Sequence, residues 1–237
     1  MAGETLRTEA ICLDIRPWSR TSHVVSWLMP TGKLSTVVKG AVRPKSLFLG
    51  QYDLNYTCDI LYYARTKGEV HALRECVPVV LREFLRRDYR ALALAGYFRR
   101  LVFELAPQGE ECRVWHKLLS SSLDSIVPTV DSLIRFELEV LRLSGLAPDF
   151  SKYDENAEWS SFSIEKGTFS ADEGRCIRIS RRVADYLCGA AENEKNSQTP
   201  LDAARVIGVF YQFHLDCSSD VRRSVLGMIS EKQGRQQ

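Results

Sequence analysis

The chain has 237 residues, 45% of them hydrophobic and 26% charged, with 32 Lys+Arg against 30 Asp+Glu. That composition excludes a disordered tail, and a chain of this length can bury roughly 70–75% of its unfolded surface, in one large core or two small ones. A net charge of +2 is too even for a surface coated throughout with phosphate-binding groups, so any nucleic-acid interface must be local.

Up to about residue 76 the apolar pattern has a period of two. Residues 9–15 place Ile11, Leu13 and Ile15 on one face, and the β-branched and aromatic run 22–29 ends at Pro30-Thr31-Gly32, a good turn. Residues 33–39 resume the strand and stop at Gly40; 52–63 read as a longer strand, 64–68 as a turn and 69–75 as the returning strand. Five short strands with no helix between them predict a small closed barrel of OB type.

From Pro78 onward the period becomes 3.6. Helices are predicted over 87–105, 110–126 and 129–144, the last with Leu133, Phe136, Val140 and Leu143 on one stripe and Gly145 as its C-cap. Residues 150–175 read as polar and irregular. Helices follow at 180–190 and 201–215, joined by a polar loop (192–199), then a short helix at 221–229 and a frayed tail at 231–237. The expected fold class is therefore α+β: a five-stranded OB barrel over residues 1–78, then an α-helical domain over 79–237.

Residues 1–9 contain no apolar h-region, and no run approaches the roughly 18 apolar residues of a spanning helix, so neither a signal peptide nor a membrane segment is expected. The seven cysteines (12, 58, 76, 112, 176, 188 and 217) are scattered, odd in number and never form CxxC. That usage fits reduced thiols in a cytosolic protein, with Cys12, Cys58 and Cys76 as small buried hydrophobes. The sequence lacks G-x-S-x-G, a phosphate-binding G-x-x-x-x-G-K-[ST], H-E-x-x-H and G-x-G-x-x-G, and its four histidines (23, 71, 116 and 214) are far apart. The expectation is a non-enzyme with no cofactor.

The cations are unevenly spread. Between Gly32 and Gly50 stand Lys33, Lys39, Arg43 and Lys45 with no acidic residue, mostly in the loop V-K-G-A-V-R-P-K-S. Arg16, Trp18 and Arg20 lie in the first strand connection, and Arg65 and Lys67 tip the last hairpin. Up to Glu75 there are 10 basic against 7 acidic residues, so the barrel carries the whole net excess. Basic groups on such a barrel neutralise phosphates while exposed aromatics stack on bases; Trp27 and Tyr56, at strand positions, are expected inside instead. A second cluster, Arg82, Arg86, Arg87 and Arg90, either extends this groove, with Arg86 as a DNA contact, or pairs with the acidic helix 132–140.

These residues resemble the RecO family of recombination mediators. T-E-A-I-C-L-D-I-R-P-W-S-R-T-S-H-V-V-S-W-L (8–28) is similar to that family's first two barrel strands, and T-G-K-L-S-T-V-V-K-G-A-V-R-P-K-S (31–46) to its Gly-Lys, strand, K-G-A-R-x-x-x-S segment. R-F-E-L-E-V-L-R-L-S-G-L-A-P-D-F (135–150) resembles its F-E-L…G-Y-x-P-x-L stretch, and F-H-L (213–215) with R-R-S (222–224) its C-terminal signature. Many members carry a four-cysteine zinc site after the third motif. Here residues 150–176 are a degenerate, cysteine-poor version: Tyr153 stands near the first cysteine, F-S-x-x-x-G (162–167) lacks thiols, and Cys176 is alone. One thiolate cannot close a tetrahedral site. No metal is expected there, with Trp159, Phe162 and Phe169 packing the segment instead.

The resemblance implies a non-enzymatic, cytoplasmic, nucleoid-associated DNA-repair protein. It implies binding of single- and double-stranded DNA, annealing of complementary strands, and loading of RecA, together with RecR, onto strands coated by single-strand-binding protein (SSB). The nucleic-acid-binding candidates are Arg16, Trp18, Arg20, Lys33, Lys39, Arg43, Lys45 and Arg86. The family's SSB-tail pocket on the helical domain points to Arg135, Arg142, Arg205 and His214, over Leu138, Phe210 or Leu215. The competing readings are a protein-interaction scaffold without nucleic-acid contact, and a thiol or metal enzyme.

Overall fold

The structure is a computed structural model in which residues 4–65, 69–170, 174–189, 198–215 and 219–230 are described. It divides into two compact units, Met1–Ile126 and Val127–Gln237. The first begins with β1 (Thr5–Ser19), β2 (Ser22–Met29), β3 (Gly32–Val38), β4 (Thr57–Tyr63) and β5 (Val70–Val80). These close into a barrel in the order β1-β2-β3-β5-β4, with β3 and β5 parallel and the other neighbours antiparallel. This is the five-stranded barrel that the alternation predicts. Ala10, Cys12, Val25, Trp27, Val38, Cys58 and Ile60 fill its interior, and Trp27 Nε1 donates to Thr36 Oγ1 at 2.8 Å. Trp27 and Tyr56 are buried, as expected of strand aromatics.

The first unit does not stop where the period changes. A 3-10 turn (Glu83–Arg87) leads into α1 (Tyr89–Leu105) and α2 (Cys112–Asp124), both packed on the barrel strands. Ile11, Leu13 and Leu28 lie outside the barrel core yet are fully buried. An outer barrel face this apolar must be covered, and the helices adjacent in sequence cover it. Asp88 caps α1 by accepting from Arg90 N at 2.9 Å.

Arg82 ties these parts together. Its side chain is 1% exposed, and its guanidinium donates to Asp124 at 2.7 Å, Asn55 O at 2.6 Å, Thr57 Oγ1 at 3.0 Å and Ser120 Oγ at 3.2 Å.

The second unit contains α3 (Val130–Leu143), β6 (Trp159–Ser163), β7 (Thr168–Phe169), β8 (Cys176–Ser180), α4 (Arg181–Leu187), α5 (Gln198–His214) and α6 (Ser219–Ser230). Thr129 caps α3 by accepting from Ser132 N, and Gly145 (φ 73°) ends it, with Leu146 N donating to Leu141 O and Gly145 N to Arg142 O. That paired arrangement needs a left-handed residue after the cap, as the sequence predicts. Inside, the wholly buried Glu137 of α3 accepts two bonds from Arg222 of α6, at 2.7 and 2.8 Å, while Arg222 also donates to Ala204 O of α5.

Residues 150–175 are not irregular throughout. β6, β7 and β8 form an antiparallel three-stranded sheet in the order β7-β6-β8. Phe162 is fully buried, with Phe150, Phe169 and Phe210 at ring-centroid distances of 4.9, 5.3 and 6.3 Å. Trp159, expected in that packing, is instead 48% exposed under the Arg178 guanidinium. It sits at the first position of β6 on the outward pleat, opposite Ser180, so the hairpin has no interior to offer it. A tetrathiolate zinc site does not fit this segment: aromatic rings fill the space around β6, and Cys188 Sγ donates to Phe150 O at 2.8 Å. The loop at 190–197, the tail and Cys217 lie outside the described residues.

Candidate nucleic-acid interface

Between β3 and β4 the chain winds through successive tight turns: Arg43 N donates to Gly40 O, Ser46 N to Arg43 O, Leu49 N to Ser46 O and Gln51 N to Phe48 O. Gly40 (φ 68°) supplies the left-handed step out of β3. Phe48 packs against the barrel core and holds the loop from beneath. At its base, Val42 N donates to Thr21 O at 3.3 Å and Gly40 N to Ser22 Oγ at 3.3 Å. These bonds join the basic loop to the β1–β2 connection, so the two candidate segments, read separately from the sequence, lie side by side.

Lys39, Arg43 and Lys45 are exposed on this loop and Arg20 on the adjoining connection, none with a carboxylate partner among the described residues. Trp18 is 67% exposed. Free cations beside an exposed indole can bind phosphate and stack a base. Arg16 is exposed but paired with Asp14, which offsets its charge. Lys33 belongs to a different neighbourhood: Nζ donates to Phe103 O at 3.1 Å in the last turn of α1, where a cation complements the helix dipole. Arg86 also stands apart, paired with Asp53 at 2.6 Å and lying over the Tyr56 ring.

Three of the four arginines of the second basic cluster find acidic partners within the first unit. Arg82 takes Asp124, Arg86 takes Asp53, and Arg90 takes Asp88 at 3.1 Å. The four partner-binding candidates do not share bonds with one another. Arg142 pairs with Glu139, Arg205 with Asp202, and His214 Nε2 lies 2.7 Å from Ile164 O with its ring against Phe210; Arg135 is exposed on α3. Sequence reasoning missed one feature of the loop: Val42, Leu47 and Leu49 are exposed among its cations, Leu47 at 91%. The apolar spacing is too irregular to signal either periodicity.

Among the described residues no three His, Cys, Asp or Glu side chains gather as metal ligands, and no helix is long and apolar enough to cross a membrane. The barrel thiols are packed: Cys12 and Cys58 are fully buried and Cys76 nearly so. Burial pushes the Cys12 thiol well above its usual value, and the contact with Cys58, followed by burial, does the same for Cys76. Alkylation at neutral pH, mapped by mass spectrometry, is therefore expected to label Cys176 and Cys188 while Cys12, Cys58, Cys76 and Cys112 stay unmodified. Rapid loss of a barrel thiol would instead revive the thiol-enzyme reading.

The architecture defines a class: an OB-type barrel with a cationic, turn-rich loop, followed by helices and a small sheet. Residues 86–217 match the family model described as "Recombination protein O C terminal". The chain is 28% identical over 178 residues to a DNA repair protein RecO of Alkaliphilus metalliredigens, covering 73% of this chain and 70% of that one. It is 32% identical over 124 residues to the RecO of Geobacter metallireducens (52% and 50% covered) and 26% over 131 residues to that of Syntrophobacter fumaroxidans (55% and 52%). The match thus spans about half the length of the latter two. Among solved structures, Entamoeba histolytica asparaginyl-tRNA synthetase overlaps 45% of this chain and 34% of its own at 12% identity and a TM-score of 0.27, too slight to bear on fold or function. The chain belongs to the RecO family of recombination and DNA-repair proteins.

Proposed function

We propose that this protein is a non-catalytic recombination mediator, cytoplasmic and nucleoid-associated, that binds single- and double-stranded DNA and anneals complementary strands. With RecR it helps load RecA onto SSB-coated strands. The basic edge of residues 1–78 meets the DNA, and the helical residues 79–237 also meet protein partners, the acidic SSB tail among them. One observation carries the reading: the backbone bond from Val42 to Thr21 joins the loop of Lys39, Arg43 and Lys45, which have no carboxylate partner among the described residues, to the connection that carries Arg20 and Trp18. Annealing needs no nucleotide hydrolysis, because cations reduce repulsion between strands and stacking holds bases open for pairing.

The test is annealing of two complementary oligonucleotides without nucleotide cofactor, with and without SSB, by the wild type and by Lys39→Ala/Arg43→Ala/Lys45→Ala. The wild type is expected to anneal and the triple variant to lose most of that activity. Three lost phosphate contacts should also flatten the log–log salt dependence of single-strand affinity by about 2, at roughly 0.7 per contact. An unchanged slope and affinity would remove the loop from the interface. The exposed Leu47 and Leu49 favour a second reading, in which the loop docks a protein. In that case Leu47→Ser abolishes partner capture and the alanine variant does not.

A further inference from the structure

A cavity of 310 Å³ lies in the first unit where residues 53–56, the 3-10 turn and one face of α1 meet. That volume is at the lower end of ligand pockets, which run from roughly 300 to 1,000 Å³. Its apolar walls are Leu54, Leu81, Leu85 and Leu92, and Tyr56 and the Asp53–Arg86 ion pair also line it. Several observations converge on it independently.

Asn55 (φ 68°) and Arg82 (φ 51°), the non-glycine residues with positive φ among those described, both line it. Left-handed backbone outside glycine persists where surrounding structure enforces it, and such positions cluster at binding sites. Asn55 is 3% exposed, and its Oδ1 is buried without a hydrogen-bond partner. Arg99 donates through Nη1 to Leu13 O, but its Nε is buried and unpartnered, and no carboxylate pairs with it among the described residues. Native interiors rarely leave such groups unmade. Burial also holds the Arg99 guanidinium below its ordinary pKa, the direction expected of a cation lacking its counter-charge. Gly96 lies in the middle of α1, where alanine would strengthen the helix, yet a Cβ built there meets nothing within 4 Å. The helix is left open on the cavity side.

The unmet groups specify a ligand: an anion for Arg99, a donor for Asn55 Oδ1, and a compact body for the leucine walls. We propose that this cavity takes one unstacked nucleotide of a single strand, its phosphate on Arg99 and its base against the leucines. An exocyclic amine of the base donates to Asn55 Oδ1. Adenine, cytosine and guanine carry such an amine. Thymine lacks one, and its only ring N–H is flanked by carbonyl oxygens that would oppose the Asn55 oxygen. The proposal rests on the reading of the chain as a DNA-binding protein, but it uses residues other than the basic loop.

The experiment is thermal unfolding of the full chain with dAMP, dCMP or dTMP up to 10 mM, for the wild type and Gly96→Leu. Leucine fills the open space and is a better helix former than glycine, so the variant's melting temperature without nucleotide should equal or exceed that of the wild type. In the wild type dAMP and dCMP are expected to raise the melting temperature, with an apparent Kd at least fivefold tighter than for dTMP. Gly96→Leu should weaken dAMP at least tenfold. Where leucine disturbs the fold, Gly96→Ala keeps the test open, and Asn55→Gly, which preserves the left-handed backbone, should erase the difference between dAMP and dTMP. Absence of any wild-type response, equal responses in wild type and Gly96→Leu, or stabilisation by a dipeptide carboxylate in place of dAMP would overturn the assignment. A mononucleotide is too short to report on the basic loop. A dAMP response alongside an unchanged loop variant would therefore sink the loop reading alone, and the reverse result would sink only the pocket.

Discussion

Glu137→Ala is expected to destabilise the second unit by about 3–5 kcal/mol, the usual consequence of stranding one member of a buried ion pair. Glu137 is wholly buried, and Arg222 reaches it with Nε and Nη2 while donating again to Ala204 O. Removing the carboxylate takes away both charge-assisted bonds that this guanidinium, 12% exposed, makes to α3. The surroundings are built around that guanidinium: a Cβ on Gly208 would lie 2.5 Å from Arg222 Nη1. With a urea slope of about 2 kcal/mol/M the unfolding midpoint should fall by about 2 M. The double variant Glu137→Met/Arg222→Leu should recover most of this, because apolar side chains of similar volume need no compensation in a core. A single variant that unfolds within about 0.3 M of wild type would mean the pair is not sequestered as described.

Arg82→Ala is the second large effect, with an expected loss of about 2–3 kcal/mol from the first unit. Hydrogen bonds to a charged group contribute about 1.5–3 kcal/mol each, and Arg82 makes four, offset by the cost of burying its guanidinium. Asn55 O and Thr57 Oγ1 lose their donor, whereas Asp124, about half exposed, is rehydrated. Arg82 also sits in the left-handed region, where a non-glycine residue costs roughly 1–2 kcal/mol. Arg82→Gly should therefore be milder than Arg82→Ala by about 1 kcal/mol, although it deletes more atoms. Denaturation curves for the two variants check the order, and alanine proving milder than glycine would contradict the backbone geometry.

The two ion-paired arginines show how differently the parts of this chain could be read. The F-E-L segment at 136–138 and the R-R-S segment at 222–224 carry a family resemblance without any stated reason for the residues in them. The fold supplies one, since Glu137 and Arg222, 85 positions apart, are bonded to each other. The barrel strands were legible because alternation is local, although β1 runs four residues earlier and later than 9–15 and β4 begins only at Thr57. Residues 52–56, which the β-rich composition had assigned to the strand, are instead turn and coil: Tyr56 N donates to Asp53 O, while Asn55 N and Tyr56 O bond the backbone of Cys12 in β1. The sheet β6–β8 escaped because its strands are two to five residues long and serine-rich, so pairing, not propensity, makes them strands.

The sequence by itself determined the order of barrel and helices, the C-cap at Gly145, the buried positions of Trp27 and Tyr56, and the cation excess between Gly32 and Gly50. Each is fixed by neighbours a few residues away. Only the tertiary structure decided which cations are available: it spent Arg82, Arg86 and Arg90 on Asp124, Asp53 and Asp88, and turned Lys33 toward α1. It left Arg20, Lys39, Arg43 and Lys45 without a carboxylate partner among the described residues, on one connected edge, and left Asn55 Oδ1 and Arg99 Nε without a hydrogen bond at a cavity. The reason is physical. Charge is carried by a residue and can be counted along the chain, but its cancellation depends on a partner within about 4 Å, often dozens of positions away.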